Sequence, residues 1–369
     1  GATLNFSTNE TNTSPYAEIN NSAGSFGTFK NTLKAGTGLL NDRFTLDMRL
    51  SNIQSDGYIE RASSDLKSMY VSAAYLTEKS SLRFNFLSGK EKTYQAWYGV
   101  SENDLQTNRR INYAGTEKPG APYDNETDNY KQDHYQLFFN HAPNEKWTLQ
   151  SALFLTRGKG YYEQYKAGQS FSRYGLDNYV TGNEIRTETD LIRQLWLDNI
   201  FYGQTFSAQY LSGAEQLTIG GGWSNYKGNH FGDIIWAREG IEKGYRWYDH
   251  DAGKKDAHLY TKYQYRLTAD HILFGDLQYR KVNYRIDGFR DNPNVLVNER
   301  YHFINPKLGW SYTQISLAVS FRGVEAGVLS PLIGLFVDRR GPRWLLFGGI
   351  IIIGVSLLAL SQVSSLDMF

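Results

Sequence analysis

Residues Trp147-Thr148-Leu149-Gln150-Ser151-Ala152-Leu153-Phe154-Leu155-Thr156 decide the fold. Trp147, Leu149, Ser151, Leu153 and Leu155 fall on one parity; Thr148, Gln150, Ala152, Phe154 and Thr156 fall on the other. Successive side chains of a strand point to opposite sides, so period two marks a strand with two unlike faces. The same pattern runs through 44–51, where Phe44, Leu46, Met48 and Leu50 alternate with Thr45, Asp47, Arg49 and Ser51. It returns in 257–267, and more weakly in 66–76, 82–88 and 273–280.

Working outward from these strands, the connections alternate in length. Short polar turns are expected at Leu40–Arg43, Glu78–Ser81, Ala142–Lys146, Ser212–Glu215 and Thr268–Asp270. Long loops rich in Gly, Asn, Asp, Tyr and Arg are expected at 94–128, 163–189, 228–255 and 287–299. An outer-membrane β-barrel segregates its connections in this way, short on one rim and long on the other. Its strands need about 9–11 residues to cross the bilayer. Tyr75, Trp147, Tyr161, Tyr162 and Tyr279 stand where interfacial aromatics belong. The expected fold class is an all-β membrane protein, an incomplete antiparallel transmembrane β-barrel of about twelve strands, followed by two transmembrane α-helices. A soluble β-rich ligand-binding protein is the alternative.

Composition narrows the function. Lys and Arg total 39 against 38 Asp and Glu, which excludes a polybasic nucleic-acid binder, so no nucleic-acid partner is expected. There is no Cys, which removes disulfide scaffolds, Cys-ligated metals and thiol catalysis. The 27 Tyr are distributed unevenly: beyond residue 308 only Tyr312 remains. Residues 1–308 are polar and rich in Tyr and Asn, whereas 314–369 are rich in Ile, Leu, Val and Gly.

The first region resembles the TonB-dependent outer-membrane receptors of Gram-negative bacteria. Gly1-Ala2-Thr3-Leu4-Asn5-Phe6-Ser7-Thr8 looks like the end of that family's plug domain, assigned here to 1–15. Ser22-Ala23-Gly24-Ser25-Phe26-Gly27-Thr28-Phe29 resembles the first barrel hairpin. Trp196–Gly203, Gly220–Trp223 with Asp233–Ala237, and Phe303–Gly309 look like later barrel strands, so 16–308 is expected to be part of the barrel. The resemblance implies a barrel of about twenty-two strands around a plug. It also implies energy-coupled uptake of a large nutrient: an iron chelate, a glycan or a cobalamin-like compound. Membrane lipid, the TonB complex and a nutrient ligand are the implied partners, in the outer membrane. No N-terminal stretch has the three regions of a signal peptide, and the segment that binds TonB is not recognised. The expectation is a piece from the middle of a receptor, not competent for transport as it stands.

Residues 309–369 read differently. Trp344–Leu360 carries no charge, and extended to Val363 it approaches the ~20 residues of a membrane-spanning helix. A second apolar stretch, 314–337, is interrupted only by Arg322 and Glu325, whose spacing places them on one helix face as a candidate intramembrane pair. Between the stretches lie Gly334, Asp338, Arg339, Gly341 and Arg343, spaced like the loop motif of major facilitator superfamily transporters, with Pro342 where a basic residue is usual. The resemblance implies secondary transport of a small organic solute in the inner membrane, which stands as the alternative function.

The two regions suit different membranes. A barrel strand carries only weak, alternating hydrophobicity, whereas a run such as Trp344–Leu360 is expected to halt in the inner membrane. Two helices do not make the closed pathway that a transporter bundle provides. The junction, Leu308-Gly309-Trp310-Ser311-Tyr312-Thr313, is acceptable to both parents. A chimera joined near 307–314 is therefore expected, by recombination or by sequence assembly.

Catalytic chemistry finds no support. His134, His141, His230, His250, His258, His271 and His302 form no metal-ligand spacing. Asp249, Asp251 and Gly253 with Asp256 only faintly follow a calcium loop, which lacks its final Glu. Gly220-Gly221-Gly222 is followed by no phosphate-loop Lys and reads as a bulge or a close backbone contact. Glu188 and Asp190 share a strand face and read as salt-bridged side chains. No nucleophile has a supporting base, so no enzyme, no cofactor and no metal is expected. Trp97, Tyr98, Arg109, Arg110, Trp236, Arg246, Trp247 and Tyr248 suit ligand stacking or, equally, loops that order one another.

Overall fold

The computed structural model describes residues 11–312. Its strands are β1 (Tyr16–Gly24), β2 (Thr28–Gly36), β3 (Phe44–Ser55), β4 (Ser64–Leu76), β5 (Ser80–Tyr94), β6 (Thr127–Asn144) and β7 (Trp147–Ser170). A small hairpin, β8 (Tyr179–Thr181) and β9 (Glu184–Arg186), is followed by β10 (Glu188–Ser212), β11 (Glu215–Ala237), β12 (Tyr245–Arg266), β13 (His271–Phe289) and β14 (Asn292–Tyr312). One short helix, α1 (Glu102–Thr107), lies between β5 and β6. Twelve strands form one sheet in strict chain order, with β10 beside β7; β8 and β9 pair only with each other.

The five short turns stand where the sequence puts them, all on one edge of the sheet. Residue Gly213 closes the β10–β11 turn at φ 56°, a conformation that costs glycine little. On the other edge the expected loops need correction. The stretch 228–255 is mostly strand, because β11 runs to Ala237 and β12 starts at Tyr245. Likewise 287–299 contains only a two-residue turn between β13 and β14, and β7 extends to Ser170. Polar residues on both faces hid these strand extensions from a reading based on apolar alternation. The loop 95–126 is long, as expected.

Register lines up one apolar face from strand to strand. Phe44, Tyr75, Leu82, Phe139, Ser151 and Phe206 are successive cross-strand partners on β3 to β7 and β10. The next row on that face is Leu46, Ala73, Phe84, Leu137, Leu153 and Gln204. After it come Met48, Val71, Phe86, Tyr135, Leu155 and Tyr202. These side chains are open to the surroundings: Leu153 is 45% exposed and Leu82 44%.

The opposite face is polar and buried. Ala74 and Thr45 are 1% exposed and Asn85 0%. Ser72 donates to Asn85 at 2.8 Å, and Arg83 donates to Ser72 at 3.0 Å. The chain ahead of β1 lies on this face: Arg83 donates to Thr11 at 2.7 Å and Asn12 to Asp47 at 3.4 Å, and Tyr16, the first residue of β1, donates to Asp47 at 2.9 Å. Buried polar groups need such partners, because an unmade hydrogen bond costs more than a made one contributes.

Contacts divide the chain into two units. The larger contains Gly1–Leu211, Thr218–Thr261 and Leu277–Asn305, and all the rows above lie within it. The smaller contains Ser212–Leu217, Lys262–Asp276 and Pro306–Phe369. In its described part, Arg266 N–H donates to the Ala214 carbonyl at 2.8 Å, and Tyr263 donates to Glu215 at 3.2 Å. The His271 ring lies flat on Trp310, with centroids 5.3 Å apart.

Among the described residues no helix is long and apolar enough to cross a membrane. The two expected C-terminal helices lie outside the described residues, and so do Arg322, Glu325, Gly334, Asp338, Arg339, Gly341 and Arg343.

Candidate functional site

The strands β7, β10, β11 and β12 have 24, 25, 23 and 22 residues, about twice what crossing a bilayer needs. Their far halves, with loop 95–126, build a polar network in the larger unit. Gln95 donates to the Glu163 carbonyl at 3.1 Å and accepts from Gln164 at 3.4 Å. Gln164 in turn accepts from buried Arg193 at 2.9 Å, and Arg193 also reaches Tyr174 at 3.3 Å. Glu163 accepts from Tyr123 and Asn125, both at 2.6 Å, and from Gln194 at 2.7 Å. Asn112 donates to the Gln95 and Glu60 carbonyls at 2.9 and 3.0 Å. The apolar counterpart is a cluster of Tyr174, Leu191 and Ile234, with Tyr245 and Trp247 against it.

Charge in this region is settled locally. Asp190 is buried, which opposes its ionisation, yet the Gly168 N–H at 2.9 Å, the Tyr165 hydroxyl at 2.7 Å and the Arg238 guanidinium hold its carboxyl below the ordinary range. Burial, and then the same hydrogen bond to Asp190, push Tyr165 up to about 12. Burial raises the carboxyl of Glu126, against the Gly115 and Tyr165 backbone N–H groups. Its Oε2 is without a hydrogen-bond partner.

The aromatic and Arg side chains singled out in sequence are mostly engaged with neighbouring segments. Arg110 stacks over Phe26 and Tyr58 at 5.5 and 5.6 Å and donates to the Tyr58 carbonyl at 2.7 Å. Arg246 lies 3.8 Å over the Phe231 ring and pairs with Asp233 at 2.8 Å and Asp249 at 2.9 Å. Trp236 stacks near Tyr165, and Trp247 meets Tyr174 and Tyr248 edge-on. Trp97 remains 56% exposed, touching Tyr162 edge-on. Arg109 is exposed. Helix α1 is held by a capping box: Asp104 N–H donates to the Ser101 hydroxyl at 3.1 Å, and Ser101 N–H donates to the Asp104 carboxylate at 2.7 Å.

Other sequence candidates resolve into structural contacts. Asp249 and Asp251 both accept from Asn229, at 2.6 and 2.9 Å, and Asp256 is clasped by Arg280. Glu188 does not join Asp190 in its ion pair with Arg238. The glycine run is a close approach: a Cβ on Gly221 would stand 2.5 Å from the His258 carbonyl oxygen. The histidines are dispersed; His141 meets Ser80 at 2.8 Å and His302 meets Tyr279 at 2.7 Å. Among the described residues no three His, Asp or Glu side chains converge as metal ligands.

On the polar face a cavity of about 430 Å³ lies between Phe154, Phe201, Tyr226, Asp256, His258 and Arg280. Aromatic walls with cationic groups suit binding of an anionic or aromatic solute. Sequence reasoning missed the network of Gln95, Asn112, Glu163 and Arg193. Its members come from four separate segments, so no spacing announces them.

Solved structures share this fold. The siderophore receptor PiuA from Acinetobacter baumannii aligns with a TM-score of 0.61 at 10% identity, over 82% of this chain and 48% of that one. The ferric-catecholate import receptor Fiu from Escherichia coli K12, in its closed form, aligns at 0.51 and 12%, over 81% and 48%. The copper transporter OprC aligns at 0.55 and 13%, over 82% and 43%. The chain thus spans less than half the length of these structures. The described sheet has the fold of TonB-dependent receptor barrels, as the sequence resemblance implies. The Major Facilitator Superfamily profile matches residues 300–369, starting inside β14. No curated protein matches the chain.

Proposed function

We propose that residues 16–308 are part of the barrel of a TonB-dependent outer-membrane receptor, preceded over 1–15 by the end of its plug. The cargo class is a metal chelate taken up with energy coupled through TonB. The observation that carries this reading is the inversion of the sheet: its apolar face is exposed and its polar face buried. That arrangement suits lipid on one side and a packed or wet interior on the other. On β4 the apolar-facing side chains run from Tyr75 to Met69 and Lys67 closes the run, and the strand as a whole, 13 residues, is long enough to cross a bilayer. The likeness to receptors named for siderophores and ferric catecholates favours a metal chelate over a glycan or a cobalamin-like compound.

The profile match over 300–369 favours a second reading for the C-terminal region. There, 309–369 is a facilitator-type piece with two transmembrane helices, Gly334, Asp338, Arg339, Gly341 and Arg343 as its loop motif, and Arg322 with Glu325 as an intramembrane pair. Its solute would be a small organic one, and its home the inner membrane. The two parts form a chimera joined near 307–314.

Two measurements test this. Long reads of the source DNA over the codons for 290–330 separate the two origins of the joint: reads that never carry both sides of the junction in one molecule identify an assembly join, and intact in-frame reads identify a real fusion. The full chain, produced in a Gram-negative host, is expected in a membrane fraction and to need detergent: in the outer membrane, with migration on a gel that changes on heating, where the barrel part decides its fate, and in the inner membrane where Trp344–Leu360 halts it. A detergent-free soluble monomer would sink both membrane readings and leave the soluble ligand-binding protein.

A further inference from the structure

The root of loop 95–126 holds a carboxyl group that the barrel reading leaves without a task. The loop closes there, since Gln95 N–H donates to the Glu126 carbonyl at 2.9 Å. The Glu126 side chain is 2% exposed and accepts from the Gly115 and Tyr165 N–H groups, and among the described residues its Oε2 has no partner. An unmet hydrogen bond costs less on a neutral carboxyl than on a buried carboxylate, so this seat suits the protonated form. Burial accordingly raises the Glu126 carboxyl above its ordinary range.

The charged and titratable groups around Glu126 come from each element packed against it. Strand β7 brings Lys166 and Tyr165, and the loop itself brings Glu117, Asp124 and Tyr98. Strand β5 ends in Tyr94 with Arg61 over its ring, and β10 adds Arg193 beside Tyr98. Lys166 is the cation that acts on Glu126, and it is already engaged: it pairs with Glu117, whose carboxylate also accepts from Ala167 N–H at 3.4 Å. That pair ties the loop to β7. A second tie runs to the β3–β4 turn, where Arg61 donates to the Asn112 carbonyl and, at 3.3 Å, to the Ala114 carbonyl. Arg61 makes these bonds from a left-handed backbone, φ 52°, a conformation costly to a residue with a side chain and kept only while its surroundings hold it.

We propose that loop 95–126 is a pH-controlled latch: with Glu126 protonated the loop is held against β5 and β7, and ionisation of Glu126 draws Lys166 away from Glu117 and frees the segment 111–126. The buried carboxylate needs a counter-charge, and Lys166 satisfies only one of the two acids fully. As the segment lifts, Arg61 relaxes, and Asn112 leaves the Gln95 carbonyl that it holds at 2.9 Å. The buried network behind the loop then opens to solvent. Because the folded value lies above the unfolded one, the hold is complete below the ordinary glutamate value of about 4.3 and is lost as pH rises through the folded value. The latch lies wholly in the larger unit and works in whatever medium meets the apolar face.

Hydrogen exchange of the full chain in detergent micelles tests the latch. Corrected for intrinsic rates, protection of the Ala114 and Tyr123 amides should fall by about tenfold between about pH 5 and about pH 8, while the Ser72 and Asn85 amides keep theirs. Glu126→Gln, which keeps the shape of the neutral carboxyl, should stay protected throughout. Glu117→Gln removes a like charge and the competitor for Lys166, so the midpoint should move to lower pH. Lys166→Met removes the attracting cation, so the midpoint should move to higher pH. No step in the unaltered chain, a step that survives Glu126→Gln, or one shared by the Ser72 and Asn85 amides overturns the latch. Should Glu126→Gln fail to fold, opposite shifts in the other two variants support the latch, and a midpoint unmoved in both overturns it.

Discussion

The two faces of the sheet from β3 to β7 are written by the same strands, one residue apart, and they obey opposite rules. On one face Leu82, Phe84, Leu137, Phe139 and Leu153 are open to the surroundings. On the other, Thr45, Asp47, Ser72, Arg83 and Asn85 are buried. In a water-soluble sheet the apolar face is the one covered. The inversion shows that hydrophobic burial against a second layer does not hold this sheet together. Its cohesion comes from the continuous ladder and the polar packing on one side and, on the proposed function, from an apolar medium on the other.

The largest expected effect comes from breaking the apolar face. Leu153→Arg, in the middle of the apolar rows, is expected to cost about 2–4 kcal/mol of folding stability in lipid vesicles. Denaturant titration with the protein embedded would measure it. An unchanged midpoint would mean that this face meets water and that the contrast between the faces has another cause.

Next comes the polar face. Ser72→Ala removes the hydroxyl that donates to Asn85 and accepts from Arg83. Because the site is buried, a loss of about 1–2 kcal/mol is expected, whereas Ser88→Ala on the apolar face should cost less. Equal effects of the two changes would erase the difference in burial.

A third, more local effect sharpens the contrast between the sheet and its far end. The Asp190 carboxyl is held low in the folded chain, so its contribution is present above the ordinary carboxylate value of about 3.9. That contribution is lost as pH falls through the lower, folded value. Hydrogen-exchange protection of the Gly168 and Arg238 amides should therefore fall below about pH 4, while the apolar rows keep theirs. Asp190→Asn should flatten this dependence; a persisting pH step in the variant would assign it to another group.

The smallest expected change is Ser101→Ala, which removes the cap of α1 and should cost about 1 kcal/mol, confined to loop 95–126. Loss of protection spreading into β5 or β6 would show that the loop and the sheet melt together.

Much of the sheet was legible because alternation needs only neighbouring residues. Leu149, Leu153 and Leu155 against Thr148, Gln150 and Thr156 suffice to place β7 and its faces. The five short turns were legible as short polar breaks between such runs. Residues 245–256 were not, since Tyr245-Arg246-Trp247-Tyr248-Asp249-His250-Asp251 has no apolar parity to follow. Its strand is fixed by its neighbours through the ladder. The setting of Glu126 was illegible for a related reason. Gly115, Glu126 and Lys166 are scattered in sequence, and only the fold brings them together.

The strict chain order of the sheet has a consequence for ancestry. Every strand of the sheet pairs with the nearest sheet strands in sequence, with no crossover. Such a meander is modular: an exchange of DNA at the end of one strand leaves every upstream pairing intact. A swap within a βαβ unit would strip a parallel strand of its partner, and few joints would survive. Here any turn or strand terminus is a tolerable seam, and the proposed joint near 307–314 includes Tyr312, where the last strand of the sheet ends.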